Sequence, residues 1–238
     1  MVLEWGNPAN SDIAYSQEES EPTVSELPDI IPVFPLPNVV LFPRVQLPLH
    51  IFEPRYRAMV RDVMEAEPPL IGMALLRGDW QEQYEGNPQV FPIGCVGKMV
   101  KTVPLPDGRF NILLQGLREY RIQEEFHDKS YRRARVEWLP QRNQTLEPAQ
   151  REAIGRLLAS YLQKDEVVQK FLADPDITDE LFINFFAFQL DILPIEKQSL
   201  LDAATLDERA TCLRDILDFK LSESSWPEGR GGRKDRLH

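Results

Sequence analysis

Gly94, Gly97 and Lys98 are the closest approach in this 238-residue chain to a phosphate cradle. A phosphate loop needs four residues between its first glycine and a Gly-Lys-Ser/Thr ending, so that successive backbone N–H groups wrap the phosphates. That spacing is absent, and no G-x-G-x-x-G follows a strand. His50, His127 and His238 are scattered, with no H-x-x-x-H pair to place two ligands on one helix face. A zinc site from His50, His127 and Cys95 would need the fold to gather distant residues, and the reading is no metal and no cofactor. Lys129 and Ser130 are adjacent on an extended segment, where neighbours point to opposite faces, so they form no Ser-Lys dyad. Without a G-x-S-x-G context, an assembled Ser-His-Asp set carries no signal. The many carboxylates fall where solvated helix faces belong. The sequence therefore offers no catalytic residues and reads as non-enzymatic.

The arginines pose a different question. Arg118, Arg121, Arg132, Arg133 and Arg135, with Tyr120 and Tyr131, have the residue types of a platform that stacks and neutralises single-stranded RNA. Alternating arginines equally suit the solvent side of strands that guard an edge. The formal charge of 27 − 38 = −11 weighs against nucleic acid as a partner. Charge is unevenly spread: residues 98–135 hold nine bases and five acids, residues 147–218 seven bases and fifteen acids. Cys95 and Cys212 sit in no metal or redox spacing and read as reduced, buried small hydrophobes. No apolar run reaches the roughly 20 residues of a membrane span. The first residues have neither the basic start of a secretory signal nor the bases of a transit peptide, so the expected location is cytoplasmic.

The elements that would carry these residues change character near Pro140. Residues 1–29 are acidic and poor in large apolar side chains, and residues 222–238 are basic and rich in Gly and Ser. Both read as disordered tails, dispensable for folding. Residues 30–140 read as a β-barrel subdomain. Its candidate strands are Ile31–Phe34, Gln46–Phe52, Leu70–Leu76, Val90–Val103, Arg109–Leu114, Glu119–Glu125 and Tyr131–Leu139. Asp107 and Gly108 supply the chemistry of a hairpin turn. One helix, opened by Pro54, places Tyr56, Met59, Val60 and Val63 on one face. Residues 141–221 switch to helical spacing and read as a helical bundle subdomain. Ile154 to Leu162 form one stripe. Asp176 is positioned to cap a phenylalanine-rich helix over residues 181–188, and Pro194 begins another. Thr205 and Glu208 have capping-box spacing before a last helix.

Three separated segments carry a resemblance. IPVFPLPNVVLFPRVQLPLHIFEPRYRAMV (31–60), IGCVGKMVKTVPLPDGRFNILLQGLREYRI (93–122) and LPIEKQSLLDAATLDERATCLRDIL (193–217) together resemble the amino-terminal, substrate-binding domain of Lon proteases. The resemblance spans roughly residues 30–220. It implies an α+β fold, a PUA-like pseudo-β-barrel followed by an α-helical bundle. It also implies recognition of unfolded or partly folded polypeptides, as an adaptor or holdase for a separate protease and without the ATPase and Ser-Lys protease modules. RNA binding by the PUA-like barrel is the alternative. The shared motif residues Pro35, Leu36, Pro43, Pro48, Glu53, Arg55, Gly94, Gly97, Asp107, Gly108, Gly116 and Arg118 read as structural, the glycines and prolines setting turns and Gly116 opening a corner. Partner contacts are expected at Leu49, Phe52 and Tyr56, where strand alternation sends one set inward and leaves the other, with Tyr56, at the surface. The physical form expected of the site is an apolar groove between barrel and bundle.

Overall fold

The structure, a computed structural model, describes residues 27–224 apart from 79, 84–85, 142–144 and 164. The predicted tails over residues 1–26 and 225–238 lie outside the described residues. Six strands come first: β1 (Ile30–Leu36), β2 (Gln46–Ile51), β3 (Leu70–Leu75), β4 (Ile93–Pro104), β5 (Phe110–Phe126) and β6 (Arg133–Trp138). Helix α1 (Pro54–Met64) follows β2, and a 3-10 turn (Trp80–Gln83) follows β3. The rest is helical: α2 (Pro148–Leu162), α3 (Asp165–Ala173), α4 (Asp179–Gln189), α5 (Pro194–Asp202) and α6 (Leu206–Ser224).

The strands run in the order β2-β5-β4-β3-β1-β6, and β6 pairs again with β5. Five strands thus close a ring, while β2 is attached to β5 outside it. This is not a regular barrel, because β5 is shared. Its first half bonds β2 from Phe110 to Gln115, and its second half bonds β6 from Tyr120 to Phe126. The β1–β3 pair is parallel and the other pairs are antiparallel. Two predicted strands, 109–114 and 119–125, are one continuous strand. Gly116, read as a corner, lies within β5 beside a register shift at Val96/Gly97. The backbone carbonyl of Phe42 occupies the space a side chain at 116 would take. The glycine marks a close approach of two backbones rather than a turn. Gly108 does turn the chain, at φ 79°, between β4 and β5.

Alternation along the strands makes two cores. Ile31, Val33, Leu70, Ala74, Val96, Ala134 and Val136 point into the ring around the fully buried Tyr120. Leu27 joins them, and the Asp29 carbonyl accepts from Val136 N, so residues 27–29 pack with the ring. At the other end α6 continues past residue 221 to Ser224. The opposite faces, carrying Phe34, Met73, Cys95, Ile112 and Leu114, pack on residues 39–45, α1 and the helices.

In the helical half, α3 was not anticipated; it packs on α2 through the buried Val168. Helix α4 is capped by Thr178, whose Oγ1 accepts from Leu181 N at 3.2 Å, not by Asp176 two residues earlier. Asp176 N instead donates to Asp174. The wide phenylalanine surface of α4 is core, with Phe182 and Phe186 in edge contact at 5.3 Å. Cys95 is fully buried, whereas Cys212 is only half-buried, because its face of α6 looks outward.

Helix α1 is tied to the β5–β6 turn by Asp62, which accepts from Lys129 Nζ at 2.6 Å and Tyr131 OH at 2.5 Å. These bonds, the lysine's first, hold its carboxyl below the ordinary carboxylate range. A depressed native value stabilises the fold above the unfolded pKa, and that contribution disappears as pH falls through the native value. Wild-type protein is therefore expected to lose stability below about pH 4 more steeply than Asp62→Asn. Urea midpoints measured across that range check this, and parallel profiles would refute it.

Candidate polypeptide-binding surface

The β2–α1 junction is shaped by its partner strand. Leu49 pairs with Ile112 and Ile51 with Phe110, and all four side chains are buried. His50 points the other way. Its Nε2 lies 3.1 Å from Arg109 Nη1 and its Nδ1 2.7 Å from Asn111 Oδ1. A guanidinium can only donate, so Nε2 accepts and the ring is set as the Nδ1–H tautomer. Phe52 is stacked on this fixed ring at 6.3 Å and is 51% exposed. An exposed phenyl held against an immobilised ring loses little side-chain freedom on contact with a partner. Pro48 removes a donor from β2, whose other edge pairs with no strand among the described residues, which discourages addition of a further strand there.

Tyr56 is a correction to the sequence-based reading. It is 4% exposed, its ring 4.2 Å from that of Phe34. The first turn of α1 rolls the tyrosine onto β1 and leaves Arg55 outside, 4.6 Å over its ring. Leu49 is likewise core, so of the three expected contacts only Phe52 offers its side chain to a partner. Glu53 and Arg55 pair at 2.9 Å, and the Glu53 carbonyl receives Tyr56 N and Arg57 N at the start of the helix. Pro35 and Leu36 pair with Ala74 and Leu75, and the Pro43 carbonyl accepts from Asn184. Asp107 accepts from Arg109 N and Nε, which lowers its carboxyl pKa and closes the hairpin. Gly97 sits against Leu114 and Leu41, and Arg118 is buried.

A polar cleft of about 280 Å³ opens beside this junction, between Pro35, Arg55, Pro88 and the turn from His127 to Arg132. Its cations are already matched: Arg55 by Glu53, Lys129 by Asp62, and Arg132 by the Pro88 carbonyl and Glu125. The arginines considered for RNA are matched too, Arg133 by Asp128, Arg135 by Glu124 and Arg121 by Glu137. Arg118 and Arg132 are buried. The strands present alternating charge rather than a phosphate-binding face. The thiol of Cys95 is pushed well up by burial and by Glu119, so it stays protonated and is no nucleophile. No group of three or more His, Cys, Asp or Glu side chains is placed to hold a metal among the described residues.

The expected groove between barrel and bundle is filled. Arg209 of α6, fully buried, reaches Glu119 on β5, donates to Asn184 Oδ1 at 2.5 Å and to the Leu200 carbonyl at 2.8 Å, and lies 5.4 Å from the Phe42 ring. Asn184 donates onward to the Pro43 carbonyl at 3.1 Å, and Gln198 to the Ile93 carbonyl at 3.0 Å. Sequence reasoning missed this junction. Its signal was Arg209 itself, spaced four and eight residues before Leu213 and Leu217 and so on the buried stripe of α6.

Comparison with known proteins bears on the whole assembly. The family model for the ATP-dependent protease La (LON) substrate-binding domain matches residues 30–218. A Lon protease of Cytophaga hutchinsonii is 27% identical over 212 residues, 85% of this chain and 26% of that protein. One from Dictyoglomus thermophilum is 26% identical over 77% of this chain and 24% of its own length. The chain thus spans about a quarter of these relatives. The N-terminal domain of the Lon protease from Mycobacterium avium complex superposes with a TM-score of 0.62 at 16% identity, covering 79% of this chain and 98% of that one. A Lon N-terminal domain protein from Xanthomonas campestris does so with a TM-score of 0.57 at 20% identity, over 83% and 99%. The ring, the outlying β2 and the helical half are thus a known α+β fold, and with the family model matching residues 30–218 the chain belongs to the Lon substrate-binding domain family.

Proposed function

We propose that this chain is a non-catalytic recognition module for unfolded or partly folded polypeptides, serving as adaptor or holdase for a separate protease. The family match across residues 30–218 supports a substrate-recognition module. The observation that carries the reading to a surface is Phe52, half exposed yet fixed on the His50 ring at the end of β2. Aromatic side chains with few torsions are effective anchors for peptides, and truncating a true anchor costs about 2 kcal/mol or more. For a client held near micromolar affinity that is a loss of roughly 30-fold.

Phe52→Ala tests this directly, since an exposed side chain can be removed without opening the core. The expected result is an unchanged circular dichroism spectrum and melting temperature, with binding to a chemically unfolded protein weakened roughly 30-fold. Wild-type affinity in the folded variant would remove Phe52 from the site. Failure of the wild-type protein to bind any unfolded client would remove the function.

A further inference from the structure

The solvent side of the α5–α6 hairpin carries a groove of about 610 Å³ that the fold does not use. Glu208, Cys212, Asp215, Ile216 and Phe219 recur at helical spacing, so α6 presents them as one stripe. Helix α5 supplies the facing wall through Glu196, which Lys220 ties across at 3.4 Å. The floor is apolar, from Cys212, Ile216 and Phe219, and Phe219 is 57% exposed. Leu193 and Ile195 flank Glu196 and are also more than half exposed. Three of the seven exposed large hydrophobic residues among those described therefore collect at this end of the hairpin. That clustering distinguishes it from ordinary scattered surface apolarity.

The groove is lined by four acids, Glu196, Asp207, Glu208 and Asp215, and by no base. Lys220 pairs with Glu196, and Arg214 with Asp215 at 3.0 Å, from outside the lining, which leaves the groove net acidic. From Leu193 to Glu223 the chain holds seven acids and four bases, and one of the bases, Arg209, is buried on Glu119. We propose that this groove binds polypeptide segments in which a large apolar side chain is flanked by Lys or Arg. The apolar side chain would fill the space between Ile216 and Phe219, and the cations would meet Asp215 and Glu208. Complementary charge steers such a segment in and rejects acidic ones, while the apolar floor supplies the affinity. A second copy of this chain is disfavoured, since two acidic rims would face one another. The inference rests on the polypeptide-recognition reading and names the client chemistry of a second surface. The first lies at the start of β5, and α6 meets β5 nine residues farther on, about 30 Å along the strand.

The test uses the full chain and three labelled synthetic 12-residue peptides: Trp and Leu interspersed with Arg, the same with Glu for Arg, and the same with Ser for Trp and Leu. Fluorescence anisotropy is expected to show the first binding at least tenfold more tightly than the other two. Asp215→Lys and Phe219→Ser should each weaken it at least fivefold, with helix content retained. Equal binding of the acidic peptide, or indifference to both substitutions, overturns the proposal. Tenfold tighter binding on removing residues 225–238 would make the chain's own end the occupant, and a dimer dissociated by Phe219→Ser would make it a second copy; either result also overturns it. If the groove fails while an unfolded protein still binds through Phe52, the functional reading survives without it. If neither peptide nor unfolded protein binds, both fall.

Discussion

Arg209→Ala is expected to destabilise the protein by about 3–5 kcal/mol, the usual consequence of stripping one partner from a buried ion pair. The arginine is fully buried and its carboxylate partner, Glu119, is 3% exposed. Truncation leaves that carboxylate without its cation and strands Asn184 Oδ1 and the Leu200 carbonyl, which Arg209 now bonds. It also opens a cavity beside the Phe42 ring. Cost and location together decide the reading. A double variant, Arg209→Met with Glu119→Leu, removes both charges and fills the space, and should recover much of the loss, since hydrophobic replacement of a buried pair is often neutral. Urea unfolding is the measurement: at about 2 kcal/mol per molar, the single variant should shift the midpoint by roughly 2 M. A shift of less than about 0.5 M would mean that Glu119 is not held as a buried carboxylate, and the junction would need another explanation.

The same junction marks where sequence reasoning stopped. Strand positions with clean alternation, such as Ala134, Val136 and Trp138, were legible because burial of one face imposes a period of two. The helix opened by Pro54 was legible for the same reason at a period near 3.6. Gly116 was misread because a glycine looks alike at a turn and at a close backbone approach, and only the position of the Phe42 carbonyl separates them. Tyr56 was placed at the surface because strand alternation says nothing about how a helix rolls after it; contact with Phe34 decides that. Alternation along β2 set Phe52 on the face opposite Ile51 but not which face looks outward; the burial of Leu49 and Ile51 decides that. The groove between α5 and α6 was not legible, because acids on a helix look like ordinary solvated surface until Phe219 is seen exposed and Ile216 only partly covered beside them.

Gly94→Ala is expected to cost about 3 kcal/mol, although it adds a single methyl group. Tyr120 fills the interior of the ring, and its OH donates to the Met73 carbonyl at 3.0 Å. A Cβ at position 94 would lie 2.6 Å from that OH and 2.7 Å from Cζ, and would also press on the Met73 carbonyl itself. None of these can step aside. Tyr120 is fully buried, and Met73 lies on β3, paired to Cys95 on one side and bonded through β1 on the other. The glycine is thus required by the tyrosine, and the two should be coupled. In a Tyr120→Leu background, Gly94→Ala should cost less by more than about 0.5 kcal/mol, while retaining a residue of its cost from the Met73 carbonyl. Gly78→Ala is the control, because nothing lies within 4 Å of its Cβ and only its φ of 70° resists the change. That substitution should cost about 1 kcal/mol. Calorimetry should place the Gly94→Ala melting temperature roughly 6–12 °C below wild type. A Gly94→Ala protein that melts with the Gly78→Ala control would show that the ring has slack around Tyr120, and the account of a close-packed interior would be wrong.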